Sequence, residues 1–461
     1  MTNALCVPAR ASAAAPLLWQ SMLQFIVLQS LGTGVQLLSG TITSIYLGRL
    51  IGLTALAAAS AFFPILFFLV SFLLGLISGG IVLVGQAEGA RDRAQIKAIA
   101  GTALSVSLLL SSVIASAGYL LADPILNLIG TPAEVLPLAA DYARATFATL
   151  PASVIFFTAI ALLRGTGDAR TPLWAMALNI AVSLALTPAL IQGQFGLPPL
   201  GLVSAPVSSS IASLVSLAVL AIVLRRRGHV LAPDRALMTA LRIDRRIAMP
   251  LIGIGVPSGL QVATVSLSEV VVISFVNPFG ASAAAAYGIV NQVVSYVQVP
   301  SQGAGMAASV FGAQAIGASD VQRLREVTRI AIVLNLIISV VIVSFVYLFL
   351  DDIPSWFVTD AEAQSIARWA LMITLWSHLL AGVAGVLSGI MRSSGAVLWP
   401  TAVLMVAIWG IEVPTAWLLS SSMGLEGVWI GYPAAFLALI LAQITYYAMI
   451  WRRHSYRRLV M

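Results

Sequence analysis

The sequence predicts an all-α membrane protein, with twelve transmembrane helices in two six-helix lobes related by a pseudo-two-fold along the membrane normal. Three observations predict it. The 461 residues are 60% hydrophobic and 9% charged, against about 25% charged in an average soluble domain. Their apolar residues gather into twelve runs long enough to cross a bilayer. Rare polar residues recur at an interval of 228 positions. So few charges cannot cover a water-exposed surface, which excludes a soluble enzyme, a disordered chain and a secreted disulfide scaffold.

The first fifteen residues hold one arginine and place their small residues ahead of the apolar run. A cleavable signal peptide needs the reverse order, so anchoring falls to the spans themselves. Each span needs roughly 20 mainly apolar residues. They are expected near 17–42, 54–84, 98–121, 135–162, 172–192 and 200–224, then 248–276, 282–312, 328–350, 362–389, 398–420 and 427–451. In lipid only helices or closed barrels pair every backbone N–H and C=O, and these runs are too long and continuous for barrel strands. The expected division is an N-terminal lobe, 1–224, a basic linker, 225–246, with turn signals Gly228 and Pro233, and a C-terminal lobe, 247–461.

Charge placement orients the chain. With the N-terminus in the cytoplasm, 21 of the 24 basic residues fall in cytoplasmic segments, most densely at Arg225, Arg226, Arg227, Arg235, Arg242, Arg245 and Arg246. The other side keeps Arg49 in a loop, while Arg144 and Arg368 lie inside spans 4 and 10. This asymmetry places both termini in the cytoplasm and the chain in the cell (inner, cytoplasmic) membrane. The basic isoelectric balance therefore reports topology, and no nucleic-acid partner is expected. The single cysteine, Cys6, excludes a disulfide framework and a Cys-based metal site. No cofactor or metal is expected, and the chain is read as a monomer.

The repeat aligns Gly52 with Gly280, Gly75 with Gly303 and Gln86 with Gln314. Gly89, Ala90 and Asp92 align with Gly317, Ala318 and Asp320; Asp123, Thr131 and Glu134 with Asp351, Thr359 and Glu362. Arg164, Gly167 and Pro172 meet Arg392, Gly395 and Pro400. Each half holds an even number of spans, so both enter the membrane in the same direction, as in parallel-repeat transporters. Two like lobes around a midplane cavity are a physical basis for alternating access.

The connection between spans 4 and 5 reads LLRGTGDARTP, residues 162–172, a turn in which Asp168 can cap the next helix and Pro172 suits its first turn. With GQAEGARD at 85–92, GAQAIGASD at 312–320, and GVPSGLQ followed by a glutamate in span 7, the chain resembles the multidrug and toxic compound extrusion (MATE) family over essentially its whole length. The resemblance implies two six-helix lobes around a V-shaped cleft, and export of organic cations and drugs in exchange for Na⁺ or H⁺. It also implies a coupling glutamate in span 7, matched here by Glu269. Three departures stand out, the first that no residue matches the family's helix 10 aspartate, His378 lying in that helix without aligning to it. Many members carry an acid in helix 1, shortly before the Gly of a GR-L-G loop, where this chain has Thr43. Members with an acid near the end of helix 5 often read Asp-Pro, where this chain reads Thr187-Pro188.

The membrane-embedded polar residues form a short set. A charged carboxylate at mid-bilayer costs roughly 2.5–3.5 kcal/mol and is normally kept facing a cavity or partner. Glu269, in SLSEVVVISF of span 7, and Glu412, in WGIEVPTAW of span 11, are the deepest acids. Each can hold a proton or a cation, so the two compete; the alternative is a protonated side chain hydrogen-bonded to a neighbouring helix. His378 can relay a proton or serve as a packing residue. Asn291 in span 8 and Asn179 in span 5 can offer oxygen ligands or act as interhelical glue. Asp141 and Arg144 share one face of span 4 and can pair locally. Trp174, Trp376, Trp409 and Trp417 offer aromatic faces to a cation or interfacial anchors. Pro64, Pro188, Pro300 and Pro414 kink or hinge their spans.

The leading functional expectation is a secondary antiporter exporting amphipathic or cationic small molecules. The alternative is a lipid-linked oligosaccharide or other lipid flippase of the same superfamily, which would carry more basic residues in its cavity; spans 1, 2, 7 and 8 hold none mid-helix. An enzyme is not expected, because no HExxH pair, nucleophile elbow or phosphate-cradling GxxxxGK[ST] loop is present.

Overall fold

The structure, a computed structural model of the chain, describes residues 17–128, 131, 135–196, 198–453, 456 and 458–460. Twelve long helical segments occupy the twelve expected spans. The first lobe contains α1 (Leu18–Leu50), α2 (Leu53–Gly89), α3 (Arg93–Leu128), α4 (Leu136–Gly165), α5 (Arg170–Gln192) and α6 (Ser204–Arg226). A short linker helix, Arg235–Thr239, precedes the second lobe. That lobe contains α7 (Arg245–Val276), α8 (Ala281–Gly317), α9 (Val321–Leu348), a broken α10 (Ala361–Thr374 and Ser377–Ser393), α11 (Leu398–Met423) and α12 (Leu425–Met449). The halves of α10 meet at 49°, and α11 carries a π turn at Ile408–Glu412. No strand occurs among the described residues.

Ten of these helices are long and apolar enough to cross a membrane, eleven when α10 is taken as one span. The twelfth is α8. Its 37 residues are ample in length, but Asn291, Gln292, Gln298 and Gln302 dilute its apolar character.

The 228-residue repeat holds as geometry. Gly52 and Gly280 turn with φ of 120° and 100°, Gly167 and Gly395 with 86° and 84°, and Arg91 and Ser319 with 57° and 58°. Asp92 and Asp320 each cap the following helix, accepting from the Gln95 N–H at 3.0 Å and the Arg323 N–H at 2.8 Å. At the far ends of the lobes Asp123 pairs with Arg144, and its repeat mate Asp351 pairs with Arg368. Asp141 stands farther from Arg144, at 3.8 Å, so the main partner of Arg144 comes from α3 and not from its own helix.

The lobes cross arms on the face that carries the linker. The first half of α1 packs Met22, Phe25 and Ile26 into the core of the second lobe, where Phe25 meets Phe311 edge-on at 5.8 Å. The first half of α7 does the converse, placing Ile247, Leu251 and Ile254 in the first lobe's core. Glycines allow the backbones to touch. A Cβ on Gly75 of α2 would lie 2.1 Å from the Gly255 carbonyl oxygen of α7, and one on Gly79 would lie 2.6 Å from that of Leu251. All these contacts lie in the linker-side half of the helices. Farther along the same helices, Gly34 and Gly40 of α1 and Gly288 of α8 face open space.

The terminal segment also spans the boundary on this face. Trp451 donates its Nε1–H to Ser394 Oγ at 2.9 Å, and Tyr456 donates to the Trp451 carbonyl at 3.1 Å. The Leu459 N–H then reaches Gln86 Oε1 of the first lobe at 2.9 Å.

Candidate functional site

Six residues of the second lobe converge where α7, α8, α11 and α12 approach one another. Glu412 is the last residue of the π turn and is 3% exposed. Pro414 follows two residues later and has no N–H to offer the helical ladder, a local reason for α11 to loosen here. Gly431 lets α12 come close to this turn: a Cβ on it would lie 2.8 Å from the Glu412 carbonyl oxygen. π turns inside α-helices frequently mark functional sites.

Glu269 on α7 lies within electrostatic reach of Glu412 and is itself exposed. Tyr287 of α8 donates its hydroxyl to the Glu269 carbonyl at 3.0 Å. Asn291 lies one turn on along α8. Trp429 stacks on Tyr287 at 5.8 Å and on Tyr432 at 6.5 Å. The result is a pair of carboxyls, one exposed and one buried, backed by phenol hydroxyls and aromatic faces. Such a set can take up a proton, coordinate a small cation through oxygen, or hold an organic cation against π faces.

The expected residues divide accordingly. Glu269, Glu412 and Asn291 are brought together. His378 is 5% exposed and lies at the start of the second half of α10. Its Nδ1 is 3.2 Å from the Thr374 carbonyl, and its ring meets Phe436 edge-on at 5.2 Å. Phe436 in turn neighbours Tyr432 at 6.3 Å, so His378 touches the cluster only through an aromatic relay. Asn179 stands apart in the first lobe, where its Nδ2 donates to Ser213 Oγ of α6 at 3.2 Å and ties two helices.

Tyr287, Trp429 and Tyr432 do not stand out in the sequence, because aromatics at helical spacing read as core. Of the tryptophans that do, Trp174, Trp376 and Trp417 are 76%, 46% and 61% exposed, the position of lipid-facing or interfacial anchors, while Trp409 is half-buried. One signal could have found the cluster. At the 228-residue interval, Glu269 and Glu412 match Thr41 and Leu184, while Trp429 and Tyr432 match Gly201 and Ser204. The breaks in the repeat mark the site.

Two pseudo-symmetric lobes of six spanning helices, packed together on one face, define a multi-pass membrane transporter. The MatE family profile matches residues 29–189 and 257–418, and the chain belongs to that family, a family of membrane transporters acting on small molecules. It is 43% identical to the probable multidrug resistance protein YoeA of Bacillus subtilis, over 96% of each chain. It is 28% identical to the probable multidrug resistance protein NorM of Bradyrhizobium diazoefficiens, over 84% of each. Its fold matches that of a mutant of the Vibrio cholerae MATE transporter VcmN with a TM-score of 0.87, covering 95% of this chain and 98% of that one at 21% identity.

Proposed function

We propose that the chain is a secondary active antiporter that exports amphipathic or cationic organic compounds in exchange for H⁺ or Na⁺ by alternating access. One observation carries the reading: α7 and α11 bring the acids Glu269 and Glu412 to the same helix junction of a single lobe, Glu269 bonded to Tyr287, Tyr287 stacked on Trp429, and Gly431 of the same helix against Glu412. Two carboxylates at one membrane-embedded junction repel, so a proton, a metal cation or an organic cation is favoured there, and the three exclude one another. Mutual exclusion at one site is what couples opposing fluxes. A membrane potential of 100 mV supplies about 2.3 kcal/mol per charge moved, enough for roughly fifty-fold accumulation. The multidrug resistance names of the relatives accord with this substrate class.

In this reading the linker face is cytoplasmic, both termini included, the membrane is the cell membrane, and one chain suffices. The lobes, 1–224 and 247–461, rock about the crossed arms, and the closed linker face corresponds to an outward-open state. Dye efflux from vesicles under separate pH and Na⁺ gradients tests the proposal. Efflux driven by one gradient and abolished when it is collapsed is expected. Efflux indifferent to both would contradict it.

A further inference from the structure

A cavity of about 330 Å³ opens on the linker face of the second lobe, between the start of α9 and the end of α12. Arg325, Arg329 and Arg452 stand around it, with Ile332, Val333 and Tyr447 on the side toward the membrane. None of the three guanidinium groups makes an ion pair or side-chain hydrogen bond with the described residues. Three like charges gathered around one hollow without an ion-pair partner among the described residues call for an anion.

The repeat shows what such a place holds when the chain fills it. Arg325 and Arg329 match Lys97 and Gly101 at the start of α3. There the linker closes over the helix. Asp234 pairs with Lys97, a Cβ on Gly101 would lie 2.0 Å from the Ala240 carbonyl oxygen, and Thr102 donates to the Arg242 carbonyl at 3.0 Å. In the first lobe a carboxylate of the chain itself thus neutralises the cation that Arg325 matches. In the second lobe the bulkier Arg329 replaces Gly101, and the equivalent space is a cavity with a third arginine.

We propose that this cavity binds the phosphate of an anionic phospholipid head group from the linker-side leaflet. Arginine presents planar, paired N–H donors that match phosphate oxygens. Basic pockets between spanning helices on the positively charged side are suited to such head groups. The lining supports a lipid over a free anion: Ile332 and Val333 continue along α9 toward the bilayer interior, where the glycerol and acyl chains of a lipid would run. Because Arg452 opens the terminal segment that reaches Gln86, a bound head group would also brace the root of that segment.

Native mass spectrometry of the delipidated full chain tests the assignment, with phosphatidylglycerol, phosphatidylcholine and inorganic phosphate as separate probes. Wild type is expected to retain phosphatidylglycerol and not phosphatidylcholine. Retention should weaken about fivefold for each arginine neutralised in Arg325→Gln, Arg329→Gln and Arg452→Gln. Val333→Trp, which fills the cavity without changing charge, should also abolish retention, whereas Arg226→Gln, outside the cavity, should not. Equal retention by wild type, the arginine variants and Val333→Trp would overturn the proposal. So would equal retention of the zwitterionic lipid. Inorganic phosphate that displaces phosphatidylglycerol and protects the protein from heat equally well would overturn the lipid as the source of the phosphate.

Discussion

Gln86 and Gln314, 228 residues apart, make the same bond across the lobe boundary in opposite directions. Gln86 Nε2 donates to the Ser393 carbonyl at 2.8 Å, and Gln314 Nε2 donates to the Gly165 carbonyl at 3.3 Å. The acceptors are themselves 228 residues apart. Beside them a Cβ on Gly89 would lie 1.9 Å from the Gln314 carbonyl oxygen, and one on Gly317 would lie 1.9 Å from that of Gln86. The pseudo-two-fold axis therefore passes between the ends of α2 and α8, and the linker face is held shut by a reciprocal clamp.

Removing both amides should loosen that clamp. Each hydrogen bond contributes about 1 kcal/mol, so Gln86→Ala with Gln314→Ala should raise the population open on the linker face by roughly tenfold or more. A cysteine at Ala313, which is fully buried and abuts Gly85, reports this in a Cys6→Ser background. Its labelling rate should rise accordingly; an unchanged rate would show that the clamp contributes nothing.

The glycine seam is less forgiving. In Gly75→Ala the new methyl carbon meets the Gly255 carbonyl oxygen, and neither backbone can yield without shifting a helix. Overpacking of this kind costs about 1–3 kcal/mol. Export should drop several-fold while insertion and expression persist, and thermal stability should fall by a few degrees. Wild-type export in Gly75→Ala would mean that the lobes do not meet this tightly during turnover.

The terminal segment gives an independent handle on the same face. A chain stopped after Arg453 loses the bond from Leu459 to Gln86 and the packing of Leu459 against Gly395. Labelling at Ala313→Cys should increase by a few-fold, and Leu459→Pro, which removes the N–H and perturbs the local packing, should reproduce part of it. A truncated chain with wild-type labelling would make the segment an ornament of the closed state.

Docking of the linker onto α3 should depend on acid. Hydrogen bonds from the Lys97 ammonium and the Leu237 N–H hold the Asp234 carboxyl below its usual range. A carboxyl with a depressed pKa contributes its stabilisation fully above the ordinary value of about 3.9 and loses it as pH falls through the depressed one. Hydrogen exchange in residues 234–242 should therefore accelerate on acidification below that range. Asp234→Asn should exchange fast already at neutral pH and lose the acid step. Identical exchange in the two proteins would separate docking from this pair.

Much of this is legible in the sequence, for physical reasons particular to each element. Every span is visible because lipid demands an unbroken apolar helix, and even α8 stands out despite Asn291 and its glutamines. The paired turns at Gly52 and Gly280, or Gly167 and Gly395, show as rare residues at a fixed interval. Glu269 and Glu412 show because charge is scarce in the bilayer. The π turn ending at Glu412 does not, since Pro414 alone also fits an ordinary kink. Nor do Tyr287, Trp429 and Tyr432, whose role depends on which helices face one another. His378 and Asn179 draw notice as isolated polar groups, yet one lies behind Phe436 and the other in the opposite lobe, bonded to Ser213.

The central claim places ion and substrate coupling at the carboxyls of the second lobe. Gradient-driven dye efflux from vesicles, measured side by side for Glu269→Gln, Glu412→Gln and the first-lobe variants Thr41→Ala and Thr43→Ala, tests it directly. Either glutamine variant should cut gradient-driven efflux at least tenfold with the fold intact, while both threonine variants keep it. Undiminished efflux in both glutamine variants, or loss confined to the threonine variants, would contradict the account.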